Sequence, residues 1–359
     1  MRVAVDASCL AWPTAGGTQR YLRNVLAHLA VRDDVNLELL VNGRDPIAGF
    51  ENCTQVTKRV RGGVAWRAAV VSRHLARRKP DVFWAPRFPA PLVVPCPWVL
   101  TLHDIAPALR RRSKAPLEDL AFRTTFPWST RRADGLICVS HNTLEDAVRL
   151  WAVARDRARV VPLGVDGRFS PGSRDDAHAA VEHAFGLSRP YVLFVGSIEV
   201  RKGLELLLDT AELAYGRGLD FVVAGARGYG SESIVGRAKA SAHCRLLGYV
   251  TDDELVDLYR GAEVVALPSH YEGFGLTALE AMACGTPAVV ASGSGSLPEL
   301  FGGTAIIVET RTPEAWLEAI DQSRAERSRL SSAGLELASR YGWAATAVAT
   351  LEVLEGVTS

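Results

Sequence analysis

Short apolar runs typical of buried β-strands alternate with amphipathic helical segments along most of this chain. Strand-then-helix alternation of this kind indicates a parallel sheet that is covered by helices on both faces. The alternation pauses at the polar, turn-rich stretch 165–176 and then resumes. A sequence of 359 residues with this pattern is therefore predicted to form two doubly wound α/β domains.

Composition favours a globular protein of a reducing compartment. The chain is 48% hydrophobic and 23% charged, and it has no apolar run near the roughly 18 residues that a membrane span needs. It opens with the strand-like MRVAVDAS instead of a charged leader, so we expect no secretory signal and a cytoplasmic location. Six cysteines are scattered without a C-x-x-C pair, which argues against a zinc ribbon or a disulfide framework.

The two halves of the chain carry opposite charge. Residues 1–168 contain 26 Lys and Arg against 15 Asp and Glu, a balance of +11, which leaves −10 for the remainder. Such asymmetry favours two domains that face different partners, although mutual attraction of the domains would also explain it. Only five of the 41 basic residues are lysines, so a lysine within a motif carries more weight.

The stretch HYEGFGLTALEAMACGTP (270–287) places two glutamates around a glycine-rich loop. Glu272 and the Gly273–Gly275 loop follow a predicted strand and precede a predicted helix, where open α/β sheets bind ligands. Accessible backbone N–H groups and a carboxylate suit a polyhydroxylated ligand such as a sugar. Glu280 lies about one turn into the helix, where it would reach a second hydroxyl or only stabilise the helix dipole.

The stretch VGSIEVRKG (195–203) is predicted to bind an anion. Gly196 and Ser197 follow a strand, and the cations Arg201 and Lys202 precede a helix. Two cations beside free N–H groups suit a diphosphate, the alternative being two solvated side chains. The chain lacks a P-loop and a G-x-G-x-x-G fingerprint, which disfavours P-loop and NAD-binding interpretations. It also lacks a D-x-D pair for a metal–diphosphate complex, so we expect no metal.

The first domain has two weaker signals. Gly16 and Gly17 lie between a predicted strand and a predicted helix, an arrangement that a simple tight turn would also explain. His103 and Asp104 lie at the carboxyl end of a predicted strand, where side chains of α/β domains project toward ligands. A structural role for the histidine is the alternative.

Taken in order, these segments resemble the retaining glycosyltransferases of family 4. The most specific match is E-GFGLTAL-E, and the supporting segments are GGTQRYLRNVL, LHD, CVSHNT, VVPLGVD, GSIEVRKG and LLGYVTDDELVDLYRGAEVVALPS. The resemblance implies the GT-B fold, in which two Rossmann-like doubly wound domains face each other across a cleft. It implies an acceptor-side domain over 1–168, a nucleotide-sugar donor domain over 169–340, and a final helix over 341–359 that crosses back to the first domain.

The resemblance also implies roles for individual residues. Arg201 and Lys202 would clamp the donor diphosphate, Glu272 would hold the donor sugar, Glu280 would take the ribose hydroxyls, and His103 would contact the sugar. The backbone around Tyr249 and Val250 would meet the base, and Ser197 departs from the Arg that such loops often carry. The other ligand-binding positions implied are Gly16, Gly17, Gly196, Gly273, Phe274, Gly275 and Leu276.

The sequence therefore predicts a metal-independent, retaining transfer of a sugar from a nucleotide-diphosphate donor to a hydroxyl acceptor. That acceptor would be a glycan, a glycolipid or a small molecule. The basic first half, with clusters at Arg77–Lys79 and Arg110–Arg112, suggests an anionic acceptor or peripheral contact with an anionic membrane, with a neutral small acceptor as the alternative. Epimerisation or hydrolysis of the nucleotide sugar, or binding without turnover, are the competing interpretations, and we expect no nucleic-acid partner.

Overall fold

The computed structural model describes residues 1–12, 16–105, 125–214, 216–228 and 230–358. These residues form two compact units. The described part of the first unit comprises 1–12, 16–105, 125–164 and 342–358, and that of the second comprises the described residues of 165–341.

The first unit is built on a seven-stranded sheet in the order β3-β2-β1-β4-β5-β6-β7, in which all neighbouring strands are parallel. Its strands are β1 (Arg2–Asp6), β2 (Asn36–Val41), β3 (Thr54–Thr57), β4 (Val82–Ala85), β5 (Trp98–Leu102), β6 (Gly135–Cys138) and β7 (Ala158–Val160). Its helices are α1 (Gly17–Leu29), α2 (Gly63–Trp66), α3 (Ser72–Arg78), α4 (helical at 125–132), α5 (His141–Trp151) and, from the end of the chain, α14 (Trp343–Gly356).

The second unit contains a six-stranded parallel sheet in the order β10-β9-β8-β11-β12-β13. Its strands are β8 (Tyr191–Val195), β9 (Asp220–Ala224), β10 (Cys244–Gly248), β11 (Val264–Leu267), β12 (Ala288–Ala291) and β13 (Ile306–Val308). Its helices are α6 (Arg174–Phe185), α7 (Leu204–Leu213), α8 (Glu232–Ala240), α9 (Asp252–Gly261), α10 (Leu276–Ala283), α11 (Leu297–Phe301), α12 (Pro313–Ala325) and α13 (Arg327–Ala338).

The central strands are apolar on both faces because helices cover both. In β4 and β11 all four residues are buried, and in β5 all five are. Continuous burial of this kind is typical of parallel sheets inside α/β layers. Local signals set the helix starts: Ser140, Ser173 and Thr312 each accept a backbone N–H bond at an N-cap, and Thr251 forms a capping box with Glu254.

The last helix, α14, belongs to the first unit, where it packs on α1 and β6. Trp343, at its start, is 4% exposed, and Thr346 Oγ1 donates to the carbonyl of Pro162 at 2.9 Å. At Gly164 a Cβ would lie 2.3 Å from the backbone nitrogen of Trp343, so only glycine permits this close approach.

The prediction of two doubly wound α/β domains is confirmed by these two parallel sheets. In each sheet the strand order reverses direction once, between β1 and β4 and between β8 and β11. Such switch points create a crevice beyond the carboxyl ends of the strands, which is where open α/β sheets bind ligands. Within the described ranges, no helix is long and apolar enough to cross a membrane.

Candidate functional site

The loops after β8 and β11 meet at the switch point of the second sheet. The ammonium of Lys202 lies 2.7 and 3.0 Å from the two carboxylate oxygens of Glu272. Ser269 Oγ donates to Glu272 Oε1 at 2.6 Å. The structure therefore brings together the lysine and the glutamate that the sequence singled out, although 70 positions separate them in the chain.

Arg201 fastens the two loops to each other. Its guanidinium donates to the carbonyl of Tyr271 at 2.7 Å, and its own carbonyl accepts from the backbone N–H of His270 at 2.9 Å. The guanidinium also lies 3.8 Å from a carboxylate oxygen of Glu272 and 3.8 Å from one of Glu199. Its side chain is only 11% exposed, so Arg201 is a packed member of the site and not a solvated cation.

The charge state of Glu272 follows from this arrangement. Burial is the largest single influence on its pKa and raises it, but the charges of Lys202 and Arg201 and the hydrogen bonds from Lys202 and Ser269 together hold the pKa below its ordinary value. The carboxylate is therefore ionised at neutral pH. Lys202 and Arg201 lie 2.7 and 3.8 Å, respectively, from a carboxylate oxygen of Glu272.

Two glycines permit close approaches at this site, Gly203 to the loop after β11 and Gly275 to α11. Gly203, with φ +67°, ends the short 3-10 turn Val200–Lys202, and a Cβ there would lie 2.3 Å from the carbonyl oxygen of Pro268. Gly275, with φ +90°, caps α10, and a Cβ there would lie 2.2 Å from Leu297 Cδ2. Both conformations are costly for a residue with a side chain, so these positions require glycine.

The backbone of Glu272 is held as firmly as its side chain. Its N–H donates to the carbonyl of Ser294 at 2.9 Å, and its carbonyl accepts from both the N–H and the hydroxyl of Ser296. Gly273, Phe274 and Gly275 are buried, and Leu276 is half-buried. The loop that the sequence predicted to bind a sugar is thus rigidly placed at the start of α10.

Glu280 differs from Glu272 in its surroundings. It lies in the second turn of α10, is 2% exposed, and accepts a hydrogen bond from the hydroxyl of Tyr259 at 2.9 Å. Tyr259 is itself fully buried on α9. Glu280 thus has a protein partner inside the unit, and its assignment to the ribose stays a prediction.

The remaining candidates of this unit line the same sheet edge. Gly196 and Ser197 follow β8, and the Ser197 hydroxyl donates to Glu199 Oε1 at 2.7 Å. Tyr249 and Val250 follow β10, and Tyr249 is 54% exposed. Because β10, β9, β8 and β11 are neighbours in the sheet, the loops after them share one edge.

In the first unit, the candidates lie at the corresponding edge. Gly16 is the extended N-cap of α1, and within the described part of the chain a Cβ on Gly16 or Gly17 would meet no atom within 4 Å. Both glycines are exposed. His103 and Asp104 follow β5, as predicted from the sequence.

His103 is neutral at physiological pH. Its Nε2 lies 2.9 Å from the carbonyl oxygen of Pro86, and its ring packs edge-on against Tyr21 with centroids 4.6 Å apart. Burial lowers the pKa of His103 to about 4; the hydrogen bond to Pro86 opposes this shift and the charge of Arg87 adds to it. A neutral imidazole bonded to a carbonyl oxygen through Nε2–H leaves Nδ1 as an acceptor.

Sequence reasoning missed several residues that support the second unit's site. Ser269 bonds Glu272, Tyr259 bonds Glu280, and the Arg311 guanidinium donates to the carbonyl of Pro268 at 2.5 Å. Ser269 stands only three positions before Glu272, so its hydroxyl was a usable signal. Arg311 comes 43 positions after the carbonyl it holds, and no local pattern marks it.

Within the ranges that the structure describes, no three His, Cys, Asp or Glu residues are grouped so that they could hold a metal ion. The described cysteines are all free, and Cys9, Cys138, Cys244 and Cys284 are buried.

Comparison with known sequences identifies two family models along the chain. Residues 15–168 match Glycosyltransferase Family 4, and residues 177–336 match Glycosyl transferases group 1. A D-inositol 3-phosphate glycosyltransferase of Xylanimonas cellulosilytica is 35% identical over 237 residues, covering 62% of this chain and 56% of the relative. O-antigen chain mannosyltransferase B of Escherichia coli is 30% identical over 217 residues, covering 58% and 57%. The chain thus spans about half the length of these curated relatives.

Comparison with solved structures covers nearly the whole chain. Sucrose-phosphate synthase from Thermosynechococcus elongatus superimposes with a TM-score of 0.81 at 21% identity, over 99% of this chain and 98% of the other. Anabaena HepE in complex with UDP-glucose superimposes with a TM-score of 0.79 at 16% identity, over 99% of both chains. These likenesses confirm the predicted fold class, and with the two family matches they establish that the chain belongs to the group 1, family 4 glycosyltransferases of GT-B fold.

Proposed function

We propose that this chain is a glycosyltransferase that moves a sugar from a nucleotide-diphosphate donor to a hydroxyl acceptor with retention of anomeric configuration. One observation carries the proposal: Arg201, Lys202 and Glu272 converge at the switch point of the second sheet. The family to which the chain belongs and the activities for which its relatives are named support it.

The chemistry of sugar transfer explains why cations belong at this point. The donor sugar passes through an oxocarbenium-like state while negative charge develops on the departing diphosphate. Fixed cations that meet this charge are the largest electrostatic contribution that such a site can make. Lys202 would bind a phosphate oxygen, either in place of Glu272 or together with it. Arg201, hydrogen-bonded to the carbonyl of Tyr271, would keep the loop in place.

Glu272 and the loop after it would bind the sugar. A carboxylate accepts hydrogen bonds from sugar hydroxyls, and the backbone N–H groups of Phe274 and Gly275 at the start of α10 would donate to them. Glu280 would take the ribose hydroxyls by exchanging its bond to the Tyr259 hydroxyl, and the exposed Tyr249 with Val250 would meet the base. Gly196, Ser197 and the amides near Leu276 would complete the donor site.

We assign the acceptor to the first unit and the donor to the second. His103, as a neutral imidazole, would contact the sugar through a hydrogen bond, and the exposed Gly16 and Gly17 would face the diphosphate or the acceptor. For retention, the acceptor would attack the face that the diphosphate leaves, and a phosphate oxygen would take the acceptor's proton. This assignment rests on the family.

The enzyme would work without a metal, in the cytoplasm. Arg201 and Lys202 supply the positive charge that a metal would otherwise bring to the diphosphate. Free, mostly buried cysteines fit a reducing compartment. The charge balance of +11 over residues 1–168 favours an anionic acceptor or an anionic membrane surface. Of the two basic clusters, Arg77–Lys79 ends α3, and Arg110–Arg112 lies outside the described residues.

Release of nucleoside diphosphate tests the proposal. The protein would be incubated with UDP-, GDP- and dTDP-sugars, with and without a mixture of hydroxyl acceptors, in the presence and absence of EDTA. Transfer predicts release that depends on an acceptor and persists in EDTA. Release that does not depend on an acceptor would indicate a hydrolase. Tight binding of the nucleotide sugar without release would indicate a binding protein. Loss of release in EDTA, with recovery in magnesium or manganese, would indicate a metal-dependent site.

A further inference from the structure

A second cationic site lies at the switch point of the first sheet. Asp6 ends β1, and Arg87 follows β4 by two residues. Arg67 stands where α2 passes into a π-helical stretch, Arg67–Val71, before α3. A π-helical stretch inside a helix redirects the side chains it carries and is frequent at functional sites. The carboxyl ends of β1 and β4 thus have two guanidinium groups beside them.

Neither guanidinium makes a direct polar contact in the part of the chain that the structure describes. Across the described residues, neither Arg67 nor Arg87 donates a hydrogen bond or forms an ion pair within 4.0 Å. Arg87 stacks on the ring of Trp12 at 4.3 Å, and a Cβ built on Gly63 would lie 3.0 Å from Nη1 of Arg67. Both arginine side chains are half-buried.

Asp6 is the carboxylate near both arginines, and its bonds go elsewhere. Its Oδ1 accepts from the backbone N–H of Ser8 and from Trp66 Nε1, each at 3.2 Å. Asp6 is 4% exposed and Trp66 is 1% exposed, so this arrangement is fixed by packing. Counted over the described residues, one carboxylate and two guanidinium groups give this cluster a net positive charge.

Burial makes that unpaired charge costly. Loss of solvent is the largest influence on the pKa of both Arg67 and Arg87 and lowers it; the charge of Asp6 opposes this shift in both, and the charge of Arg87 lowers the pKa of Arg67 further. A cation that is half-buried without an anion destabilises the fold unless another group compensates it. An anionic ligand would compensate both arginines at once.

We propose that Arg67 and Arg87 bind a phosphate monoester carried by the acceptor; this assignment rests on the proposed transferase function. Each guanidinium offers a planar fork of N–H donors that matches phosphate oxygens in pairs. Two guanidinium groups present up to ten N–H donors, and a carboxylate offers only about four lone-pair sites to accept them. The three terminal oxygens of a phosphate monoester can accept hydrogen bonds from both guanidinium groups. Trp12, 44% exposed and stacked on Arg87, limits the directions from which the ligand enters.

Calorimetric titration with inorganic phosphate tests the site directly. A Lys202→Gln background is used, so that phosphate binding at the second unit does not contribute. In that background, saturable binding in the millimolar range is expected, and Arg67→Gln or Arg87→Gln should each weaken it at least tenfold. Arg23→Gln is the matched control, because Arg23 also lies over an aromatic ring, that of Phe50 at 5.9 Å. Phosphate affinity should not change in this variant.

The source of the phosphate is decided with two further probes. Glycerol 3-phosphate is compared with glycerol, and vesicles containing phosphatidate are compared with neutral vesicles. Arginine-dependent binding of glycerol 3-phosphate supports a soluble acceptor, and arginine-dependent binding of phosphatidate vesicles supports a lipid acceptor. Equal affinity in both arginine variants and the control, or no phosphate binding at all, overturns the proposal.

The fold and the donor site are controlled separately. Circular dichroism and thermal unfolding show whether each variant is folded, and nucleoside diphosphate binding of the arginine variants without the Lys202 change should equal that of the wild type. If the wild type binds no nucleoside diphosphate, the transferase function fails while the phosphate isotherms can still be interpreted. If nucleoside diphosphate binds but phosphate affinity is the same with and without Arg67 and Arg87, only the proposed acceptor site is contradicted.

Discussion

The two switch points of this molecule hold cations in opposite ways. Between β8 and β11, Lys202 is bonded to Glu272 at 2.7 Å and Arg201 lies 3.8 Å from the same carboxylate. Between β1 and β4, Arg67 and Arg87 are half-buried and, among the described residues, have no carboxylate partner within 4.0 Å.

This difference suggests how each site would respond to its ligand. In the second unit, the ion pair between Lys202 and Glu272 holds the site in shape before a ligand binds. A diphosphate would have to compete with this ion pair, so part of its binding free energy would replace an existing contact. In the first unit, the proposed anion would meet arginines that form no ion pair within 4.0 Å among the described residues, so its binding would offset part of the free energy lost when their charges were buried.

The largest effect is expected where a cation meets the leaving group. Lys202→Ala should lower turnover about a hundredfold, roughly 3 kcal/mol of transition-state stabilisation, and lower donor affinity less. Lys239→Ala, an exposed lysine on α8, is the control and should leave turnover unchanged. Near-normal turnover in the Lys202 variant, measured with saturating donor, would remove this residue from the reaction.

The next effect contrasts a charged group with a neutral one. Glu272 is kept ionised by its partners, whereas burial keeps His103 neutral with a pKa of about 4. Because the unfolded chain takes up a proton near pH 6.5 and the folded chain only near pH 4, His103 should make the folded state lose stability as pH falls through this window. The loss should be on the order of 3 kcal/mol and should stop below pH 4.

NMR titration of the eight histidine rings checks this directly. The signal that disappears in His103→Gln should titrate near pH 4, and the stability gap between wild type and variant should narrow on acidification. A ring that titrates near pH 6.5 would show that His103 is solvated and would remove the contrast with Glu272.

The third effect separates the two glutamates. A charge-assisted hydrogen bond contributes about 1.5–3 kcal/mol, so each loss should cost one to two decades of affinity. Glu272→Gln should weaken binding of nucleotide sugars without weakening binding of the free nucleoside diphosphate, whereas Glu280→Gln should weaken binding of both. Calorimetry that finds equal losses for both ligands in both variants would contradict the division of roles.

The smallest effect concerns the bond that Glu280 makes inside the unit. Tyr259→Phe removes a buried hydrogen bond of 2.9 Å to Glu280 and should lower the free energy of unfolding by about 1 kcal/mol. Because the variant also removes this competing hydrogen bond from the carboxylate, affinity for a ribonucleoside diphosphate should not fall, whereas the 2′-deoxy form should bind more weakly in both proteins. A variant that discriminates less between the two ligands than the wild type would place Tyr259 in the ribose site.

The sequence was informative where chemistry and periodicity coincide. Strand–helix alternation predicted both sheets, and the glycine-flanked Glu272 and the paired Arg201–Lys202 marked the edge at which the structure brings them together. These signals are local: each lies within one strand–loop–helix segment, where propensity and turn chemistry act.

Contacts between distant segments were not predictable in this way. The bond between Lys202 and Glu272 spans 70 positions, and the one between Tyr259 and Glu280 depends on how α9 packs on α10. Arg67 and Arg87 looked like two of many arginines, because their lack of a partner is a property of packing and not of their neighbours in sequence. Pairing and burial are set by tertiary structure, which no local window contains.

The central claim is that the second unit binds a nucleoside diphosphate at the Arg201–Lys202–Glu272 cluster. Calorimetric titration of UDP, GDP and dTDP into the wild type and an Arg201→Gln, Lys202→Gln double variant tests it most directly, with unfolding curves to confirm that the variant is folded. One of the three should bind the wild type and lose at least a hundredfold in affinity in the folded double variant. Binding that is equal in both proteins, or absent from the wild type for all three, would contradict the account.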